Sequence, residues 1–330
     1  MRKFICSVLV FCSLLVSLIS CGGNETHGEY CYRPTKVSYV GEKGEYSIQI
    51  TYNENGMPIE EVAYKLGKVD STRKLTYDDK GNLLKTSTSY TDNDEFFDDI
   101  VYTYDADGKC IYFEMYNSSI DVDKYCGENE YDENGRCVKM TLKNEVGEID
   151  TIFETAYDDS GKILKEITKV STATTTTDYV YDESGKLVKK ITKHEDQENE
   201  ANNSTTEALY SYDENGNLIS EDYGNGQSIT YFYDDNNNLV RVEMPNDYAL
   251  IVPTKKRTFD IKYDKNNNIS EIDFISYNGK EKNFKFEYEY VFVPFDGKVN
   301  LKEDLQTLFS KLDSLSFEFE PIIINPNLKK

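Results

Sequence analysis

Tyr212-Asp213-Glu214-Asn215-Gly216-Asn217-Leu218 is one of nine copies of the same turn, and the way the copies vary decides the fold. They begin at Tyr52, Tyr77, Tyr104, Tyr131, Tyr157, Tyr181, Tyr212, Tyr233 and Tyr263. Asp follows each Tyr, except for Asn53 in the first copy. The fifth position holds Gly56, Gly81, Gly108, Gly135, Gly161, Gly185 and Gly216, then Asn237 and Asn267. Gly gives way only to Asn, the residue that next best tolerates a left-handed backbone. Positive φ is expected there, as in a hairpin loop built from a type I turn and an αL residue.

Outside the turn the period is two. Two residues ahead of the Tyr stand Ile50, Leu75, Tyr102, Tyr179, Tyr210, Tyr231 and Ile261. Seven residues beyond it stand Ile59, Leu84, Ile111, Val138, Leu164, Val188, Ile219 and Val240, read here as buried positions. The next residue is often charged, as at Lys85, Lys139, Lys165, Lys189 and Arg241. Such alternation marks strands with one buried and one wet face. Nine hairpins require at least eighteen antiparallel strands. Anchor spacings run 25, 27, 27, 26, 24, 31, 21 and 30 residues, so length varies between the hairpins, in surface loops. A single repeat has too little apolar surface to fold alone, so neighbouring hairpins must cover one another.

The two ends differ from the middle. Residues 1–20 read as a signal peptide: Arg2 and Lys3, then an almost wholly apolar run from Phe4 to Ile19. Leu18-Ile19-Ser20-Cys21 resembles a bacterial lipobox, which implies cleavage before Cys21 and acyl chains on that residue. Several chains on one residue suffice for stable anchoring. Residues 21–36 read as a polar tether, and 37–298 as the repeat domain. In the tail, 299–330, Asn300 and Glu303 suggest a helix start. Leu301, Leu305, Leu308, Phe309 and Leu312 then share one helical face. A short helix over 300–313 is expected to cap the sheet.

Cleavage removes two basic and no acidic residues, leaving 35 Lys and Arg against 60 Asp and Glu, a net charge of −25. That balance argues against nucleic acid and against docking on anionic lipid, which both need a basic face. Cys31, Cys110, Cys126 and Cys137 remain beside Cys21. Cys110 and Cys137 occupy equivalent places in consecutive repeats. With two strands per repeat, equivalent positions are two strands apart, a span of ~10 Å, too wide for a disulfide. The pairing of Cys31 and Cys126 stays open.

Chemistry finds little foothold. The Asp-rich turns invite calcium, but Leu218 and Gly224 stand where an EF-hand loop counted from Asp213 needs Gly and Glu. Turn chemistry accounts for Asp, Asn and Gly without metal, so no metal or cofactor is expected. The only histidines are His27 and His194, and no nucleophile elbow or phosphate loop is present. An enzyme is not expected. The 27 Tyr and 16 Phe suit either a core or a ligand platform. The copy preceded by Asn129 and the stretch Tyr223 to Tyr231 are candidate places for a specific surface. The run from Lys186 to Lys193 puts charge on both strand faces, against a lipid-facing wall.

The turns at Tyr181 and Tyr212 resemble the YD (RHS) repeat, Tyr-Asp-x-x-Gly-x-Leu, and the likeness covers about 260 residues. Large members form shells around toxins or adhesion modules. With its lipobox, this chain is more similar to small lipoproteins of Bacteroidetes of unknown function with a porin-like barrel. The expected fold is all-β, an antiparallel meander of about eighteen to twenty strands rolled toward a barrel, closed by a short C-terminal helix. The expected role is a non-enzymatic binding or adhesion module lipid-anchored at the bacterial envelope, at its outer membrane. Its partners would be glycan or protein. The alternatives are a scaffold without small ligand, and a carboxylate hydrolase.

Overall fold

The structure, a computed structural model, describes residues 29–41, 44–91, 97–117, 124–224, 226–244, 257–266, 268–275 and 281–293. Twenty strands follow one another in an antiparallel meander. The first five are β1 (Glu29–Gly41), β2 (Gly44–Tyr52), β3 (Pro58–Lys65), β4 (Lys68–Tyr77) and β5 (Leu83–Tyr90). Next come β6 (Phe97–Tyr104), β7 (Cys110–Asn117), β8 (Lys124–Tyr131), β9 (Cys137–Lys143) and β10 (Ile149–Tyr157). β11 (Ile163–Val170), β12 (Ala173–Tyr181), β13 (Leu187–Asp196), β14 (Ser204–Tyr212) and β15 (Leu218–Asp222) follow. The last are β16 (Ser228–Tyr233), β17 (Leu239–Met244), β18 (Arg257–Tyr263), β19 (Ile269–Ile275) and β20 (Glu281–Val293).

Each strand pairs with its chain neighbours, and β1 also pairs with β20, from Glu29 opposite Val293 to Tyr39 opposite Phe284. The sheet is a closed barrel with no free edge. Nine hairpins supply β2 to β19, and the two strands outside the repeats close the ring. β1 takes up residues 29–36, which the sequence assigned to the tether, because their backbone completes the ladder of β20. The signal peptide, Cys21, Asn267 and the expected helix at 300–313 lie outside the described residues.

All nine Tyr-Asp turns connect an even strand to the next odd one, so they crown a single rim. β1 begins and β20 ends at that same rim. Within a repeat, Tyr210 pairs with Glu221, and Glu221 pairs onward with Ile229. Relative to the anchor Tyr, pairing thus moves back two residues per hairpin. This stagger is what tilts the strands of a barrel.

The anchor Tyr and every second residue share one face, and this face is the sheltered one. Val37, Ile48, Phe113, Leu142, Ile272 and Phe284 are almost fully buried there. A convex wall one layer thick has nothing to cover it, so the sheltered face is the lumenal one. Apolar side chains gather in two arcs. One covers β13 to β20 and β1 to β3, and the other runs from β5 to β9.

The convex face carries cross-strand ion pairs: Lys85 with Asp99 at 2.7 Å, Lys189 with Glu207 at 2.7 Å and Arg241 with Asp260 at 2.9 Å. A lipid-facing wall could not hold such charges at mid-height.

The register corrects one expectation. Every hairpin shifts by a residue at the anchor, as where Tyr77 opposes Leu83 while Thr76 opposes Lys85. This bulge puts the residue six beyond the Tyr inside and leaves the seventh half out. Leu83 is 8% exposed and Leu84 is 37% exposed. Cys110, Cys126 and Cys137 are free thiols.

Gly127, in mid-strand β8, sits under the ring of Phe113 on β7. A Cβ there would lie 2.1 Å from the ring. Gly127→Val should lower stability by about 1–3 kcal/mol through overpacking. Chemical denaturation of Gly127→Val, and of the same variant carrying Phe113→Leu, checks this. The second change should restore part of the loss, and no restoration would rule out the ring contact as its cause.

Candidate functional site

The predicted turn forms as expected. The seven Gly at the fifth position have φ between 70° and 89°, and Asn237 has φ 62°. In the Tyr131 copy, the Gly135 N–H donates to the Asp132 carbonyl at 3.0 Å. The Asp132 side chain accepts the N–H groups of Asn134 and Arg136 at 3.0 and 2.8 Å. These carboxylates serve the backbone. That of Asp234 is held below the usual range, chiefly by the Asn238 N–H. Among the described residues no group of three His, Cys, Asp or Glu side chains could hold a metal ion.

The anchor Tyr hydroxyls are not ligand contacts. Eight of the nine donate to a backbone carbonyl of the preceding repeat, always six residues past its own Tyr. Tyr77 donates to Pro58, Tyr104 to Leu83, Tyr131 to Cys110 and Tyr157 to Cys137. Tyr181 donates to Ile163, Tyr212 to Leu187, Tyr233 to Leu218 and Tyr263 to Leu239. The ladder between adjacent repeats ends two residues short of this carbonyl, as at Lys189 opposite Leu209. The hydroxyl therefore satisfies an acceptor that the bulge leaves beyond the last strand pair.

Position six of the turn, which the sequence reading passed over, adds a second link. Lys109, Arg136, Lys162 and Lys186 lie over the rings of Tyr131, Tyr157, Tyr181 and Tyr212 in the next repeat, 4.8–5.7 Å from their centroids. Where the residue is Asn, as at Asn82 and Asn217, its amide bonds its own turn Asp instead. Position six holds Lys or Arg in four consecutive copies and Asn in four others, a pattern visible in the sequence.

A different set of residues has site character. Two residues ahead of each Tyr, and nine beyond it, side chains face each other across a hairpin inside the barrel. Most are apolar, but from β11 to β16 they change. Tyr179 donates to Glu166, and the Lys190 ammonium lies 4.9 Å from the Tyr179 ring and 6.0 Å from that of Tyr210. Glu221, only 7% exposed, accepts the hydroxyls of Tyr231 at 2.7 Å and Tyr223 at 2.8 Å. Burial, then the neighbouring Glu221 charge, pushes the Tyr210 hydroxyl well above its ordinary range. The result is a continuous lumenal band of Tyr, Glu and Lys.

The wall is lowest here. β15 and β16 have five and six residues, beside the ten and nine of β13 and β14. Glu221 stands one residue from the end of its strand, and Tyr223, 43% exposed, stands on the lip. The band thus opens through a notch in the rim opposite the Tyr-Asp turns. Of the two divergent stretches singled out from sequence, the one from Tyr223 to Tyr231 borders this notch through its described residues, Tyr223, Ile229 and Tyr231 among them. The other is structural: Asn129 is 8% exposed and donates to the Cys110 carbonyl at 2.9 Å.

Closed and built from tandem hairpins, the fold is a repeat-assembled β-barrel. Residues 212–247 match the RHS Repeat family. Those residues form a repeat of the YD (RHS) type. No curated protein matches it. The crystal structure of TcdB2-TccC3-TEV aligns over 75% of this chain and 15% of that one, with 14% identity and a TM-score of 0.38. A porin-like protein from Bacteroides uniformis ATCC 8492 aligns over 78% of this chain and 98% of its own, with 9% identity and a TM-score of 0.36. Another from Bacteroides vulgatus ATCC 8482 has the same coverage, 15% identity and a TM-score of 0.32.

Tyr233→Phe removes the donor to Leu218 and should cost about 1–3 kcal/mol, the penalty for a stranded acceptor. A denaturant midpoint equal to that of the parent would show the bond to be dispensable. Burial also sets an alkaline limit. It pushes the Tyr263 hydroxyl up to about 12, and raises those of Tyr104, Tyr131 and Tyr233 further. Unfolded Tyr ionises near pH ~10. The stabilisation is complete below that pH and is lost as pH rises through about 12. The last fraction of tyrosinate absorbance should appear together with loss of the β-sheet dichroism. Ionisation of all 27 Tyr near pH ~10 with the sheet intact would contradict the ladder.

Proposed function

We propose that this chain is a non-enzymatic binding module, lipid-anchored through Cys21 at the outer membrane of the bacterial envelope, with a glycan or protein ligand at the notch. The observation that carries this reading is Tyr223 on the lip of the notch, bonded to Glu221. An exposed aromatic ring beside a buried carboxylate offers a stacking face and a fixed acceptor in one place. The strand order supports the placement. Both described ends of the sheet leave at the Tyr-Asp rim, and Cys21 precedes Glu29 by a few residues. An anchor there leaves the notch facing away from the membrane.

The test is a glycan array probed with the full lipidated protein in detergent, with parallel crosslinking on intact cells. Selective binding or a specific crosslinked partner is expected, and Tyr223→Ala should weaken it at least about tenfold, roughly 1.4 kcal/mol. Binding indifferent to Tyr223→Ala would move the site elsewhere. Neither glycan nor partner would leave the scaffold reading.

A further inference from the structure

Lys190 differs from the lysines of the convex wall. Lys85, Lys139, Lys165, Lys169 and Lys189 each meet a carboxylate across the strands. Lys190 points into the barrel, half-buried. Among the described residues no carboxylate comes within ion-pair distance of its ammonium, which rests against the rings of Tyr179 and Tyr210. The nearest lumenal acids on either side are engaged elsewhere. Glu166 takes the Tyr179 hydroxyl, and Glu221 takes those of Tyr223 and Tyr231. The order around the wall is therefore acid, aromatic, ammonium, aromatic, acid.

A partly desolvated ammonium without a counter-ion is a strong site for an incoming anion, since charge-assisted bonds strengthen as water is excluded. The flanking acids narrow the choice. A polyanion with charge on every unit would set its neighbouring charges against Glu166 and Glu221. A cationic ligand would meet Lys190 itself. A ligand with one anionic group among hydroxyls suits this order, because carboxylates accept hydroxyl protons and the half-buried Tyr179 offers a ring for a sugar to pack against, while Tyr210 is buried behind Lys190.

We propose that the lumenal band binds a saccharide carrying an isolated carboxylate or sulfate, with that group on Lys190 and neighbouring hydroxyls on Glu166 and Glu221. This rests on the binding reading above and specifies its ligand.

The experiment uses full-length protein on an array of saccharides bearing single uronic acid or sulfate groups. Each is printed beside its carboxyl-reduced or desulfated counterpart. The acidic member of a pair should bind at least about tenfold more tightly. Lys190→Met should erase that preference, and Lys190→Arg should keep most of it, with unchanged thermal unfolding in both. Equal binding of acidic and neutral members, or a preference that survives Lys190→Met, overturns the Lys190 assignment while leaving the binding module standing. No binding by any member overturns this proposal and leaves the binding module to a protein partner, which the crosslinking on intact cells tests separately.

Discussion

The hydroxyl of one Tyr, bonded to a backbone carbonyl of the repeat before it, is the contact on which the barrel depends. The bulge at each anchor lets the turn fold back on itself, but it places a carbonyl past the last pair of the ladder between repeats. A buried carbonyl without a donor is costly. The next Tyr removes that cost and fixes its hairpin against the previous one. Lys or Arg at position six then covers the same ring. Register, rim and inter-repeat spacing all follow from a bond made eight times among the described residues.

With the wall secured by the rim, the lumenal face is free to differ from repeat to repeat. Positions two before and nine beyond the anchor are occupied by Ile50 and Glu61 in one copy, Tyr102 and Phe113 in another, and Tyr210 and Glu221 in a third. The backbone is the same in each. Apolar pairs build the core arcs, and polar pairs on adjacent strands build the band beside the notch. Stability is concentrated at one rim and chemistry lies deeper in the wall, so the second can change without loss of the first.

Much of this was legible in the sequence, because the turn is local chemistry. Asp, Gly and the rare Asn stand where a tight loop needs them, and strand alternation follows on either side. Ring closure was not legible, since Glu29 and Val293 carry no repeat and meet only because the curvature of eighteen strands brings them together. The bulge also hid the true inner residue: Leu83 and Leu84 are alike in sequence, and only the register shift separates them. Lys190 was visible as part of a run with charge on both faces. That it faces inward, with Lys189 held outside by Glu207, required the strand pairing.

The two-residue stagger of each hairpin has a geometric consequence. Strand tilt in a barrel is set by the ratio of shear to strand number, and one residue of shear per strand corresponds to about 36°. Each repeat brings two strands and two residues of stagger together, so it leaves that ratio untouched. Duplicating or deleting a whole hairpin would change the circumference of the ring while its pitch stayed constant. Such a protein can widen or narrow its bore by unequal recombination, without redesigning a single turn.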